Sequence, residues 1–316
     1  MKDYVLDAAL SLRRNYEDLP FNACESEETA RRVQDRALAA LERSGDTYLY
    51  QTVAVLSRDH RERLEEKRLL SPEAADAVYG AVYLRSDERM CVETAGEDHL
   101  VLTGYDEGGD LDACLSSCRA VEEQMMDTGP VAYSARYGYL TSRPCDAGTG
   151  MRASLLVHIP MIILIKQLPA AVKLAGASGM TLQAAGQGIC RLENRVTAGQ
   201  DASRILERLR ENAGKICALE HSLRLRARER QDINVMDQIV RAKAVAKAAL
   251  RMGRGEAMRI WSMLTLGMET CDAPCSADQL DRLWSLAHLP SEVLEKESGM
   301  SADVERAGRI RNIFAE

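Results

Sequence analysis

Residues 137–160, YGYLTSRPCDAGTGMRASLLVHIP, contain the most distinctive local pattern of the 316-residue chain. A strand-like start leads into a glycine-rich turn (Gly148–Gly150), which precedes the most apolar run of the sequence, 153–165. That run is about half of the roughly 20 residues that a membrane-spanning helix requires, and it contains His158 and Pro160. We therefore expect that the glycine-rich turn begins a helix, whose first N–H groups are free, and that a buried segment follows.

Helical patterns dominate the first seventy-five residues. Apolar positions recur at helical spacing between Ser26 and Gly45, with two glutamates in the first turn. Ser71-Pro72-Glu73 has the composition of another helix start, because Ser is a good N-cap and Pro is tolerated at the first helical position. Residues 1–75 are therefore expected to form a small helical N-terminal domain.

Short β-rich segments separated by turns appear between Ala81 and Leu102, as in an antiparallel meander. A helical stripe from Leu111 to Met125 interrupts them before strand character resumes. We expect residues 76–200 to form an antiparallel α+β domain. Long helical segments follow, so residues 201–316 are expected to form a helical C-terminal domain.

Composition excludes several classes of protein. Hydrophobic residues make up 46% and charged residues 28% of the chain, which argues against disorder. The net charge of −7 opposes broad attraction to nucleic acid or to anionic membranes. One local exception is the basic segment 201–251, which is usually a solvated helix face and leaves nucleic-acid binding as an alternative.

Nine cysteines without a C-x-x-C pair argue against a disulfide framework and favour a reducing compartment. Acidic residues interrupt the only apolar stretch near the N-terminus, which therefore does not resemble a signal peptide. We expect a cytoplasmic protein, with no membrane partner and no metal site.

Several segments together resemble the ATP:guanido phosphotransferases, and most closely the bacterial protein arginine kinases. The 137–160 segment resembles the family's signature. EKRLLSP at 66–72 resembles E-K-H-L-I-S-P, EDHL at 97–100 resembles N-E-E-D-H-[LI]-R, and LENRVTAG at 192–199 resembles I-S-N-Q-[LI]-T-L-G. DAALSLRRN at 7–15 occupies the place of S-S-R-I-R-L-A-R-N.

This resemblance implies a small helical N-terminal part, an antiparallel sheet flanked by helices, and a helical C-terminal domain. It also implies transfer of the γ-phosphoryl of Mg-ATP to a guanidinium, with arginines gripping the phosphates. Glu97 falls on the family's catalytic carboxylate and is the candidate base. Arg143 replaces the family's cysteine and places a cation where a guanidinium substrate should approach.

Four of the family's five phosphate-directed arginines are missing. The gapless alignment equates the segment 176–185 with the family's glycine-rich loop. The four positions are Ala9, Ser11, Val101 and Gly176. Because each charge-assisted contact contributes about 1.5–3 kcal/mol, their loss argues against ordinary ATP binding.

Three arginines remain as candidates for phosphate binding. Arg152 keeps the family position, Arg14 lies in the flanking R-N, and Arg68 replaces the histidine of E-K-H. Lys173 is a further substitute for a lost arginine. We also expect a weak anion site where Arg152 adjoins a helix N-terminus.

At the C-terminus, SADVERAGRIR at 301–311 resembles the R-D-x-x-R-A motif with which protein arginine kinases bind phosphoarginine at a regulatory site. Asp303 and Arg306 match the motif, whereas Ala302 replaces its first arginine. An amphipathic helix with exposed arginines explains the same residues equally well. The resemblance further implies a homodimer formed through the C-terminal domain.

These observations leave three hypotheses. The first is a catalytically impaired pseudokinase that acts with a protein partner, an arginine-phosphorylated protein or an intact arginine kinase homologue. The second is an active protein-arginine kinase with rebuilt phosphate contacts. The third, from another class, is a nucleic-acid-binding protein that uses helices 201–251.

Overall fold

The structure is a computed structural model that describes residues 4–21 and 25–315. Its strands are Val5–Arg14 (β1), Tyr48–Thr52 (β2), Ala81–Arg85 (β3), Met90–Thr94 (β4), Leu100–Asp106 (β5), Tyr133–Ser134 (β6), Gly138–Tyr139 (β7), Met151–His158 (β8), Met180–Gly186 (β9) and Ile189–Asn194 (β10). An eight-stranded antiparallel sheet has the order β2-β3-β4-β5-β1-β8-β10-β9, and β6 pairs with β7 in a separate hairpin.

Helices cover the sheet and form the C-terminal third of the chain. They are Glu27–Leu41 (α1), Arg58–Glu66 (α2), Leu111–Met126 (α3), Pro160–Leu164 (α4), Leu168–Ala177 (α5), Ala202–Glu229 (α6), Ile233–Ala248 (α7), Arg254–Thr270 (α8), Ala277–His288 (α9), Ser291–Ser298 (α10) and Ala302–Ile313 (α11). Within the described ranges, no helix has the length and apolar character to cross a membrane. The expected α+β class is confirmed.

Strand β1 lies at the centre of the sheet, where Ser11 is opposite Thr103 of β5 and Arg152 of β8. The expectation of helix throughout the first seventy-five residues is therefore wrong for β1 and β2. The β1 sequence is rich in Ala and Leu, which favour helices, but pairing with strands on both sides overrides this local preference. The division of the chain at residues 75 and 200 stays a prediction.

The predicted helix after Ser26 is confirmed as α1, and the Ser26 side chain accepts a hydrogen bond from the Thr29 N–H. Ser71-Pro72-Glu73 starts only a short 3₁₀ turn, Pro72–Asp76, rather than a longer helix. The glycine-rich turn at 148–150 leads into strand β8, so the helix expected beside Arg152 is also wrong. Gly150 has φ of +60°, and a Cβ there would lie 2.7 Å from the Arg13 carbonyl oxygen.

The two faces of β1 have different surroundings. Ala8, Leu10 and Leu12 belong to the apolar core, in which α3 packs on β1 and β5. Ala9 and Ser11 point to the opposite face and line an open cleft. The two-residue period of a strand thus separates the core of the molecule from its candidate site.

The C-terminal helices share one continuous apolar core with the sheet, from Tyr4 to Phe314. Leu283 on α9, an apolar residue of the expected C-terminal domain, is fully buried within this chain. The homodimer therefore stays a prediction from resemblance. The eight described cysteines are free, and Cys24 lies outside the described residues.

Gly104 on β5 provides a test of the contact between the sheet and α3. A Cβ at Gly104 would lie 2.6 Å from the Cys114 carbonyl oxygen, whereas a Cβ at Gly176 on α5 would meet nothing within 4 Å. We expect Gly104→Ala to lower the free energy of unfolding by about 1–3 kcal/mol, because backbone on both sides must shift.

Gly176→Ala is the matched control, and it is expected to be neutral or to stabilise by up to about 1 kcal/mol. Urea denaturation measures both changes. Equal stabilities of the two variants would contradict the close packing of β5 against α3.

Candidate functional site

A cleft of about 330 Å³ opens on the sheet face opposite α3. Residues of β1, β4, β5, β8 and β10 line it, together with Glu65 of α2 and with Arg68 and residues 70–72, which follow α2. Ala9, Ser11, Val101 and Arg152 all lie in this cleft. Strand pairing therefore brings Arg152, which keeps its family position, together with three positions at which the family has an arginine and this chain does not.

Arg152 is held by carboxylates. Its Nε and Nη2 donate to the buried Asp146 carboxylate at 2.9 and 2.8 Å, and its Nη1 lies 3.7 Å from Glu73 Oε1. Such a bidentate pair fixes the guanidinium plane and neutralises its charge. Because β8 is a strand at this point, the expected helix N-terminus beside Arg152 does not contribute an anion site.

Arg13 is a buried member of the site that the sequence reasoning missed. Its guanidinium lies 3.6 Å from Glu73, 3.7 Å from Asp98 and 3.8 Å from Asp146. Asp98 in turn accepts a hydrogen bond from Asn15 Nδ2 at 2.7 Å. Counting in steps of two from Ala9 would have found Arg13, had β1 been recognised as a strand.

Arg68 also lines the cleft, where it forms an ion pair with Asp7. Its Nε and Nη1 are buried and have no hydrogen-bond partner among the described residues. Arg14 is not in the cleft, because it lies on the α3 face of β1. There it donates to Glu122 at 2.5 Å and stacks over the Tyr139 ring at 3.5 Å.

The segment 176–185, which resemblance equates with the family's phosphate-binding loop, lies outside this cleft. It contains the end of α5 and most of β9, and none of its residues lines the cleft. Lys173 is exposed on α5 and is likewise outside the cleft. β9 turns directly into β10 through Gln187 and Gly188, and the equation of 176–185 with the family's loop stays a prediction.

Glu97, the candidate base, lies in the turn between β4 and β5 and is bound by an internal cation. Arg143 Nε lies 2.8 Å from Glu97 Oε1, and Arg143 Nη1 donates to Glu73 Oε1 at 2.8 Å. Glu73 is a second residue that the sequence reasoning missed, since Ser71-Pro72-Glu73 was interpreted only as a helix start. The hydrogen bond to Glu97 raises the pKa of Arg143.

The charges of the cleft do not fit a triphosphate. Each arginine that lines it pairs with a carboxylate: Arg13 with Glu73, Asp98 and Asp146, Arg68 with Asp7, Arg152 with Asp146, and Arg191 with Glu193. Phosphoryl transfer depends on cations that are free to neutralise the phosphate oxygens. In this cleft a polyphosphate would have to displace carboxylates first.

A second cleft of about 210 Å³ contains both residues of the C-terminal motif, Asp303 and Arg306. Arg306 is 1% exposed, and its Nη1 donates to Asp303 and to the Met252 carbonyl oxygen, both at 3.3 Å. Its Nε and Nη2 have no hydrogen-bond partner among the described residues, and burial lowers its pKa. Arg63 and Arg254, which the motif did not predict, also line this cleft.

Other residues of the C-terminal motif lie elsewhere. Arg309, which follows Arg306 by about one turn of α11, pairs with Glu305 at 2.6 Å and with Glu297 at 2.9 Å. Ala302 is 4% exposed, so an arginine at that position would need the neighbouring residues to move.

Comparison with known proteins agrees with the fold described above. Residues 29–223 match the family description of the ATP:guanido phosphotransferase C-terminal catalytic domain. The chain belongs to the ATP:guanido phosphotransferase family. It is 29% identical to the protein-arginine kinase of Caldanaerobacter subterraneus subsp. tengcongensis, over 97% of this chain and 95% of that protein. It is 28% identical to that of Syntrophomonas wolfei, over 98% of this chain and 91% of that protein.

Solved structures show the same fold at lower identity. A lombricine kinase superimposes with a TM-score of 0.61 at 18% identity, covering 71% of this chain and 68% of that one. The substrate-free duplicated taurocyamine kinase from Schistosoma mansoni gives a TM-score of 0.57 at 21% identity, covering 69% of this chain and 32% of that one. These two likenesses establish the guanido-kinase fold.

Ion pairs neutralise part of the basic segment 201–251. Arg210 pairs with Asp112 at 2.6 Å, and Arg241 pairs with Asp237 at 2.6 Å. Arg224 is buried within the chain. These pairs reduce the positive charge that a phosphate backbone would meet.

Glu93 on β4 provides a pH test of the cleft. It is 5% exposed, accepts hydrogen bonds from the Ser71 N–H and hydroxyl, and burial raises its pKa to about 7. Between the unfolded pKa of 4.5 and about 7, the folded state holds a proton that the unfolded state releases. This group therefore lowers stability as pH rises through that window.

The free energy of unfolding of the wild type should fall between pH 5 and 8 because Glu93 ionises. We expect this fall to be smaller in Glu93→Gln, by up to roughly 3 kcal/mol. Glu28→Gln, at an exposed position on α1, is the control and should leave the pH profile unchanged. Urea denaturation at several pH values measures the free energy of unfolding. Parallel profiles for wild type and Glu93→Gln would show that Glu93 does not titrate in this range.

Proposed function

We propose that this chain is a protein-arginine kinase relative with a defective phosphate-binding site, which acts as a noncatalytic partner or regulator. The observation that supports the proposal is the pairing of every cleft-lining arginine with a carboxylate. Ala9, Ser11 and Val101 line the same cleft and carry no positive charge that could bind a phosphate. A polyphosphate would therefore gain little charge-assisted binding and would lose its own hydration.

The alternative, an active kinase with rebuilt phosphate contacts, needs cations at new places. Arg14 lies on the other face of β1, and Lys173 lies outside the cleft. Arg68 and Arg152 are in the cleft and both are in ion pairs, although two nitrogens of Arg68 have no partner among the described residues. This alternative would thus require the Asp7 and Asp146 pairs to open when nucleotide arrives.

An Mg-ATP titration tests the proposal. We expect no rise in melting temperature at 1 mM Mg-ATP, compared with Mg²⁺ and sulfate at equal ionic strength. A ligand with Kd near 10 µM would add about 2.7 kcal/mol at that hundredfold excess, which shifts the melting temperature by several degrees.

A second assay uses labelled ATP and an arginine-rich acceptor protein. Either a clear thermal shift or transfer of label to arginine would contradict the proposal and favour the active alternative. Denaturation curves of the same sample establish that the protein under test is folded.

We further propose that the second cleft binds phosphoarginine, on which a regulatory role would depend. The buried guanidinium of Arg306 supports this, because two of its nitrogens lack a partner among the described residues. A phosphoryl group could accept hydrogen bonds from arginine, and the Asp303 carboxylate could meet the ligand's guanidinium. The partner would then be an arginine-phosphorylated protein.

We expect a phosphoarginine peptide to bind the wild type. Its affinity for Arg306→Met should be at least tenfold lower, because this variant lacks one charged contact to the phosphoryl group. Arg309→Met, at a position paired with Glu305 and Glu297, is the matched control and should keep the wild-type affinity. Calorimetry with the unphosphorylated peptide as blank gives both values. Equal affinities of the two variants would remove the second cleft as the binding site.

A further inference from the structure

We propose that Arg143 is an autoinhibitory arginine. Its guanidinium pairs with the Glu73 and Glu97 carboxylates and so prevents guanidinium groups of other molecules from binding there. Nε of Arg143 lies 2.8 Å from both oxygens of Glu97, and Nη1 lies 2.8 Å from Glu73 Oε1. One guanidinium therefore bridges two carboxylates that come from different parts of the chain. This inference rests on the proposed loss of catalysis and concerns two carboxylates beside the first cleft, of which Glu73 contacts the cleft residues Arg13 and Arg152.

The backbone around Arg143 is fastened to the segment that carries Glu97. Ser142 N–H donates to Asp98 at 2.7 Å, and the Ser142 hydroxyl donates to the Glu97 carbonyl oxygen at 2.6 Å. The Thr141 hydroxyl donates to the Arg143 carbonyl oxygen at 2.6 Å. Because its backbone is fixed, the Arg143 guanidinium has a high effective concentration at the carboxylates, and a free guanidinium at lower concentration does not displace it.

The neighbouring arginines Arg13 and Arg152 approach Glu73 only at 3.6 and 3.7 Å, and each also pairs with other carboxylates. Arg152 is held by Asp146, and Arg13 lies close to Asp98 as well as to Asp146. Three arginines, Arg13, Arg143 and Arg152, thus face four carboxylates, Glu73, Glu97, Asp98 and Asp146. Removal of Arg143 would leave two cations against four anions, and this excess of negative charge would attract a planar cation with matching donors.

The Arg143 side chain is 42% exposed, whereas the Glu73 side chain is only 17% exposed. The arginine can therefore leave the contact by rotation of its side chain, without opening the fold. The Glu97 side chain, at 32%, is also partly exposed, but Glu73 cannot follow the arginine into solvent to the same extent. The structure thus has the elements of a closed state, in which Arg143 is bound, and an open state that accepts an external guanidinium.

Methylguanidinium is the probe for the test, with methylammonium as the control cation, and no nucleotide is added. We expect Arg143→Ala to bind methylguanidinium in the millimolar range, at least tenfold more tightly than the wild type does. The double variant Arg143→Ala with Glu97→Gln should lose that gain. Arg136→Ala removes an exposed arginine on the neighbouring hairpin, and should behave as wild type.

Equal affinity of wild type and Arg143→Ala would overturn the proposal, and so would a gain that survives Glu97→Gln. If Arg143→Ala does not fold, Arg143→Lys decides, because one ammonium can pair with only one of the two carboxylates. It should gain at least threefold in methylguanidinium affinity, and no gain would again overturn the proposal. Since these titrations contain no ATP, their failure is distinct from a failure of the proposed loss of nucleotide binding.

Discussion

The two-residue alternation of β1 is the constraint on which the cleft depends. β1 is hydrogen-bonded on both sides, so neither edge is free and its register is fixed by β5 and β8. A shift of one residue would move Ala8 and Leu10 into the cleft and expose the core to polar side chains. The same alternation places Arg13 in the cleft and Arg14 against Glu122, although the two arginines are adjacent in the sequence.

Buried charge explains why the arginines of the cleft are paired with carboxylates. An arginine that lies beneath the surface without a counter-charge is strongly destabilising, so it must find a carboxylate when no phosphate is present. Arg13 and Arg152 both meet Asp146, which is 3% exposed. The internal pairs that stabilise the fold are therefore the same pairs that oppose a polyanion.

Local patterns of the sequence predicted the parts of the fold that depend on local energies. The helical spacing and the Ser26 cap predicted α1, and the apolar stripe from Leu111 predicted α3. β1 could not be found in this way, because it is buried on both faces and its Ala and Leu residues favour helices. The resemblance nevertheless assigned Ala9, Ser11 and Val101 to one site, and strand pairing brings these three residues together.

The contacts of the cleft were harder to predict than its members. A cation at position 143 was expected to repel a substrate, but its attachment to Glu73 as well as Glu97 depends on the 3₁₀ turn after Ser71. No local pattern links residues so far apart in the sequence. The hairpin of β9 and β10 was likewise not predicted, since a gapless alignment does not show where one strand turns into the next.

The C-terminal helices are joined to the sheet by a buried polar network as well as by apolar packing. Glu220 on α6 accepts the N–H groups of Met161 and Ile162 at 3.0 Å each, where α4 begins, and pairs with Arg224 at 2.8 Å. Both charged side chains are 1% exposed or less, so each depends on the other for its counter-charge. Arg224 also reaches Glu269 on α8, at 2.7 Å. Separation of the helices from the sheet would break these hydrogen bonds and expose the shared core, which couples the stability of the two parts.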